Sequence, residues 1–309
     1  MPRIPRHFHF IFGLKPQTEP FHVVYYLCLR SCLEVNRPER ITLYYHHEPH
    51  GEWWDLIRPH LELERVELVP QVSATKTTDA YVLHNRHAHH ADFIRLEKLR
   101  DHGGVYADMD TLFIHPLPDH LFDKSCVLGR EADFPHEPGG AVGKESLCNA
   151  LIMAEPGAPF ITRWLESTPA AFGQSWSAHS CQLAARLHWE HPDEVHVEPE
   201  RSFYPYMWTR PDMARLLTEC HEDWDGVYSV HLWNHLWWSR HRFDFSSFNG
   251  ERMTERFIRR ETTTYTKAAR RFLPEANRHG MIRRWLRDAR ELSAELWARR
   301  SEFRRRLRA

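Results

Sequence analysis

The first hundred residues alternate strand-like and helix-like patterns, and that alternation constrains the fold more than any other feature of the chain. His7-Phe8-His9-Phe10-Ile11-Phe12 is a short aromatic and β-branched run ended by Gly13, which predicts a buried strand. From Phe21 to Val35 the apolar spacing is helical, and Asn36 and Pro38 end it. Further strands are expected over Ile41–Tyr45, Val66–Val69 and Val105–Ile114, with helices over Trp53–Ile57 and Ala88–His102. Gly103 and Gly104 stand where a left-handed helix cap is expected. Strands and helices in this order predict an α/β fold, a mostly parallel, Rossmann-like sheet flanked by helices.

Beyond residue 115 the expected strands are Cys126–Leu128, Ala150–Met153 and Tyr228–Trp233, and the expected helices lie near Phe160–Ser167 and His179–Trp189. The end of the chain differs in kind. Residues 278–309 hold 11 Arg against 4 acids, with Ile282, Trp285, Leu286, Ala289, Leu292 and Leu296 at helical spacing. We therefore expect a main domain over 1–250 and a basic amphipathic helical appendage over 251–309. The appendage would pack on the main domain, pair with a second copy of the chain, or lie on the inner face of an anionic membrane.

With 309 residues, 42% of them apolar, the chain has ample core and no disorder signature. The formal net charge of −1 lacks the basic excess of a broad nucleic-acid-binding face, so no nucleic acid is expected. No run of eighteen apolar residues occurs, the amino-terminal residues lack an apolar signal core, and the six cysteines form no CxxC pair. A reduced, cytoplasmic setting is the expectation.

The densest chemical signal runs from His90 to Asp110. Asp92 and Arg95, three apart, share a helix face near the helix start, where an anionic ligand is favoured. Asp108 and Asp110, two apart on an extended segment, would project to one side at the carboxyl end of a central strand, where open α/β sheets bind ligands. Two such carboxylates suit Mg²⁺ or Mn²⁺, and a cation there would neutralise charge on a diphosphate leaving group.

Other readings attach to neighbouring residues. His87, His89 and His90 suggest a metallohydrolase cluster, although the order of residues does not match the HxHxDH form. His231, with Asn234 near it, is either a core histidine or a ligand. Tyr106 is either core or beside the ligand. Trp53, Trp54 and Trp208 would pack in the core or line a sugar cleft. Glu131 and Asp133 read either as acids that reach the acceptor or, more simply, as surface charge, and no nucleophile is identifiable.

The string Asp92-x-x-Arg95…Gly103-Gly104-x-Tyr106-x-Asp108-x-Asp110 resembles the DxD-containing sugar-binding region of family 32 glycosyltransferases and, more distantly, the glucosylating domains of large clostridial toxins. Ile4 to Phe12 is similar to that family's opening strand. Asn149 to Ala154 with Pro159-Phe160 is similar to the strand and helix after the DxD region, and His231 to Trp238 to its closing His/Trp motif. The resemblance implies a GT-A fold and metal-dependent, retaining transfer of a sugar from a nucleotide donor, a UDP-sugar ahead of a GDP-sugar, to a glycan, lipid-linked or other hydroxyl acceptor. It places Asp92, Arg95, Tyr106 and Asp108 at the nucleotide and donor sugar, and Asp108 and Asp110 at the metal. His231 or Asn234 would add a metal ligand or a diphosphate contact, and Trp237 or Trp238 would cover the diphosphate. Ala91 stands where many members have Ser, Phe12 where Trp is usual, and Ser177 to Gln182 lacks their Gly-Pro turn. A catalytically inactive sugar-nucleotide-binding or scaffold protein is the alternative from a different class.

Overall fold

The structure is a computed structural model that describes residues 2–75, 85–131, 146–173, 176–237, 250 and 252–275. It divides into two compact units, Met1–Pro205 with Gly226–His231, and Tyr206–Asp225 with Leu232–Ala309.

The first unit is built on a seven-stranded sheet. Its strands are β1 (His7–Ile11), β2 (Arg40–Tyr45), β3 (Glu62–Arg65), β4 (Gly104–Ala107), β6 (Cys126–Glu131), β7 (Ser146–Ala154) and β8 (His196–Glu198), in the order β3-β2-β1-β4-β7-β6-β8. β5 (Thr111–Phe113) and β9 (Ser229–His231) form a separate antiparallel pair. β1, β2, β3 and β4 run parallel, β7 runs against both β4 and β6, and β6 pairs parallel with β8. This is the α/β, mostly parallel sheet that the sequence predicts.

β1 lies at the centre of the parallel part and is buried along its whole length, as its unbroken aromatic and aliphatic pattern requires. Its two histidines are paired inside. His9 donates from Nε2 to the Gly103 carbonyl at 2.7 Å, which leaves Nδ1 to accept from the Tyr44 hydroxyl at 2.9 Å. His7 Nε2 meets Thr42 Oγ1 at 2.8 Å. Burial lowers the pKa of His7 to about 4 and of His9 to about 3, so both rings are neutral near pH 7.

Three helices position the site: α1 (Val23–Ser31), α2 (Arg86–His102) and α3 (Cys181–Glu190). α1 continues into a wider π turn over Cys32–Asn36, which completes the helix expected to Val35. α2 starts two residues before the expected Ala88, so Asp92 lies nearly two turns in and does not cap it. Its inner face carries Phe93, Ile94, Leu96 and Leu99 together with the buried Asp92 and Arg95. Gly103 ends the helix at φ 61°, and a Cβ there would lie 2.7 Å from the nitrogen of Pro156. Gly104, at φ 106°, passes so close to β1 that a Cβ would lie 2.3 Å from the His7 carbonyl oxygen. No side chain fits at either position.

Two expectations change. The third strand is Glu62–Arg65 rather than Val66–Val69. As the edge of the sheet it is mostly exposed and carries charges, so it gives no apolar signal, and Val69 instead turns into the core. The expected strand Val105–Ile114 is broken into β4 and β5 by a turn at Asp108–Asp110, closed by the Thr111 N–H donating to the Asp108 carbonyl at 3.0 Å.

In the second unit, helices Arg210–Leu217 and Thr264–Arg270 are joined where Thr264 Oγ1 donates to the Arg215 carbonyl at 2.6 Å. Thr263 and Thr266 cap the latter helix reciprocally. The amphipathic stretch 278–309 lies outside the described residues. Among those described, no helix is long and apolar enough to cross a membrane.

Candidate active site

Asp108 follows directly on the carboxyl end of β4, the strand that pairs with β1 and β7 in mid-sheet. The turn, rather than an extended segment, is what brings its carboxylate and that of Asp110 to one place. The register of the small sheet sets Thr111 opposite His231, so β9 delivers the imidazole to the residue beside Asp110. His231 Nε2 lies 3.0 Å from Asp110 Oδ1 and 3.7 Å from Asp108 Oδ2. One ligand atom from each of the three falls within 4.8 Å of the others. His231 and Asp110 are buried, and the Asp108 side chain is 27% exposed.

Three charges in so small a space shift one another. Burial pushes the Asp108 carboxyl up and Asp110 pushes it further, against Arg95 and His231, and the net direction is upward. Burial lowers the pKa of His231, but the carboxylates around it, Asp110 foremost with Asp108 and Glu131, together outweigh it and the imidazole ends above its ordinary value.

Arg95 connects this turn to α2. Its guanidinium is buried, 3.4 Å from Asp108 Oδ1 and 3.1 Å from Asp92 Oδ1, and it donates to the Asn149 carbonyl at 2.7 Å. It also stacks over the Tyr106 ring, 4.5 Å from the centroid. Tyr106 is 2% exposed and its hydroxyl donates to Asp108 Oδ1 at 2.5 Å. It is therefore a core aromatic whose polar end fixes a site carboxylate. Asp92 takes Asn149 Nδ2 on Oδ1 at 2.8 Å and His179 Nε2 on Oδ2 at 2.9 Å. Burial alone would raise its carboxyl, yet the charge of Arg95 and the histidines hold it well below the usual carboxylate range.

The structure thus gathers Asp92, Arg95, Tyr106, Asp108, Asp110 and His231 along one sheet edge. Asn234 begins a short helix, Asn234–Trp237, in the second unit and is buried. The side chain of Trp237 and the whole of Trp238 lie outside the described residues, as does Asp133. The His87, His89 and His90 trio does not converge. His90 Nδ1 accepts the Val69 N–H at 3.0 Å, while His89 turns toward Asp92 and His179. Glu131 is no surface acid: it is 2% exposed, accepts from Ser146 Oγ at 2.9 Å, and burial pushes its carboxyl up. Trp54 is buried against Phe21, and Trp53 packs half-buried on Tyr26.

Sequence reasoning missed Asn149 and His179. Asn149 stands 57 residues from the Asp92 that it holds, and His179 stands 87 away, so no local spacing marks either one.

Comparison with known proteins bears on the same edge. Residues 55–128 match the family described as glycosyltransferase sugar-binding region containing DXD motif. The glucan organizing enzyme 1 of Cryptococcus neoformans is 36% identical over 242 residues, 75% of this chain and 63% of that protein. The chain therefore spans somewhat under two thirds of that relative. The O-glycosyltransferase braB of Annulohypoxylon truncatum is 32% identical over 83 residues, 25% of this chain and 19% of that protein. Among solved structures, the galactosyltransferase LgtC aligns over 89% of this chain and 98% of its own, at 15% identity and a TM-score of 0.45. The PaToxG glycosyltransferase aligns over 61% and 70%, at 14% identity and a TM-score of 0.42. Those structural likenesses are distant, and the fold rests on the chain's own sheet order.

Proposed function

We propose that this chain, whose residues 55–128 match the glycosyltransferase sugar-binding region containing DXD motif, is a metal-dependent retaining glycosyltransferase using a nucleotide-sugar donor. The observation that carries the reading is the convergence of Asp108, Asp110 and His231 at the carboxyl edge of the parallel strands, with Arg95 beside them. Two carboxylate oxygens and an imidazole nitrogen within 4.8 Å are a donor set that fits Mn²⁺ or Mg²⁺. A cation held there would supply charge neutralisation on the leaving diphosphate. The chain's own residues do the rest. Arg95, fixed on four sides by Asp92, Asn149, Tyr106 and Asp108, presents a preorganised positive charge toward the donor. Asp92 belongs to the donor site mainly by fixing Arg95, and Tyr106 by orienting Asp108.

A UDP-sugar is the donor to try first. A glycan acceptor agrees with the word glucan in the relative's name, and lipid-linked hydroxyls are the other class. In this reading the chain acts in the cytoplasm, and the basic amphipathic stretch 278–309 packs on the rest of the chain, pairs with a second copy or lies on the inner membrane face. The test is hydrolysis of a panel of nucleotide sugars with and without Mn²⁺. Metal-dependent release of one sugar, abolished in Asp110→Asn, is expected. No turnover of any donor, with nucleotide binding unchanged in Asp110→Asn, would leave the inactive scaffold in its place.

A further inference from the structure

Sugar transfer leaves a second histidine–carboxylate group unexplained. His89 lies one turn before Asp92 on α2, and His179 stands in the segment that leads into α3. One ligand atom from each falls within 4.8 Å of the others. All three residues are buried, His179 to 1% exposure. Asp92 Oδ2 lies 2.9 Å from His179 Nε2 and 3.7 Å from His89 Nδ1.

The position of His89 is what points to a ligand. Its Nδ1 is buried and has no hydrogen-bond partner among the described residues. Phe172 and Trp176 hold the ring, at centroid distances of 5.6 and 4.8 Å, so the nitrogen is kept facing the carboxylate just beyond bonding range. A buried nitrogen left in that position calls for a partner placed between it and Asp92.

We propose that His89, Asp92 and His179 form a second metal site, selective for zinc and distinct from the Asp108, Asp110 and His231 group. Two imidazoles and one carboxylate are a borderline-soft donor set of the kind zinc takes. Zinc–ligand bonds of about 2.0–2.1 Å place neighbouring tetrahedral ligand atoms roughly 3.3 Å apart. The observed separations of 2.9 and 3.7 Å lie on either side of that figure, so small side-chain rotations admit the ion. Binding exchanges the His179–Asp92 hydrogen bond for two metal bonds and gives His89 Nδ1 its partner. Asp92 Oδ1 keeps Asn149 and Arg95, which orient the ligating carboxylate as an outer shell does. The ion would tie the segment before α3 to α2 on the far side of Arg95 from the DxD turn. The inference goes beyond sugar transfer and does not depend on it.

The full-length chain is loaded with Zn²⁺, dialysed against metal-free buffer and analysed for bound metal, and a Co²⁺-loaded sample is read for the visible absorption of a tetrahedral cobalt–histidine site. Wild type and Asp110→Asn should each retain one zinc per chain. His89→Ala and His179→Ala should lose zinc affinity beyond the roughly 10–100-fold typical of supporting residues, with circular dichroism confirming that they fold. If wild type holds no zinc and gives no tetrahedral cobalt spectrum, the proposal fails without recourse to any variant. Zinc retained in both histidine variants, or lost in Asp110→Asn alone, overturns it equally. The latter result would leave the DxD reading intact.

Discussion

Around Asp92 one carboxylate meets two imidazoles and a guanidinium, whereas around His231 one imidazole meets two carboxylates. The same residue types in inverse proportion give opposite electrostatics. The Asp92 carboxyl is held ionised far below its ordinary range, while the Asp108 carboxyl is pushed up by burial and by Asp110. One cluster has its carboxylate balanced by Arg95 and hydrogen-bonded by Asn149 and His179, and only His89 Nδ1 in it lacks a partner among the described residues. The other brings two carboxylate oxygens and an imidazole nitrogen within 4.8 Å of one another, a donor set that suits a divalent cation. Arg95 touches both, so it links a structural device to a chemical one.

That contrast can be broken at several points. The largest effect on stability should come from Arg95→Ala, which leaves Asp92 charged and buried without its guanidinium. A loss of about 3–5 kcal/mol is expected, read from urea unfolding. Asp110→Asn should do the reverse, lowering metal-dependent turnover on the order of 10²–10³-fold with little change in the unfolding midpoint. If both variants lost stability to the same degree, the division of roles would be wrong.

Acid titration separates the clusters from the other buried histidines. His7, His9 and His90 have folded-state values of about 4, 3 and 4, against 6.5 for an unperturbed ring. The unfolded chain therefore takes up protons first, and stability should fall as pH drops below 6.5, continuing to about 3. Asp92 acts in the same sense over a lower window: its stabilisation is present above the ordinary Asp value of about 3.9 and is lost only as pH falls below it. His7→Asn, which keeps a donor for Thr42, should flatten the slope above pH 4 and leave the loss below it unchanged. The smallest effect is also the most diagnostic. Asp108→Asn removes a charge that the metal-free fold disfavours, so stability should hold or rise by about 0.5–2 kcal/mol, while Asp92→Asn lowers it.

Much of the first cluster's frame was legible in the chain, because local rules decide it. The all-buried β1 needs an apolar run, the exit from α2 needs glycines, and Asp92 and Arg95 meet through helical spacing alone. What escaped depends on long-range packing. Asn149 reaches Asp92 from an antiparallel strand, and His179 from a segment with no regular pattern. His231 was legible only as one of two alternatives, since the β5–β9 register that brings it to Asp110 spans 121 residues. The turn at Asp108–Asp110 reads as strand because its flanks are apolar, and Glu131 reads as surface because a buried carboxyl is rare.

Mn²⁺ binding followed by electron paramagnetic resonance is the most direct test of the central claim, that Asp108, Asp110 and His231 hold a divalent cation. The account predicts saturable binding near one ion per chain in wild type and in His89→Ala, and its loss in Asp110→Asn and in His231→Ala. Mn²⁺ bound equally well by wild type and Asp110→Asn would contradict it.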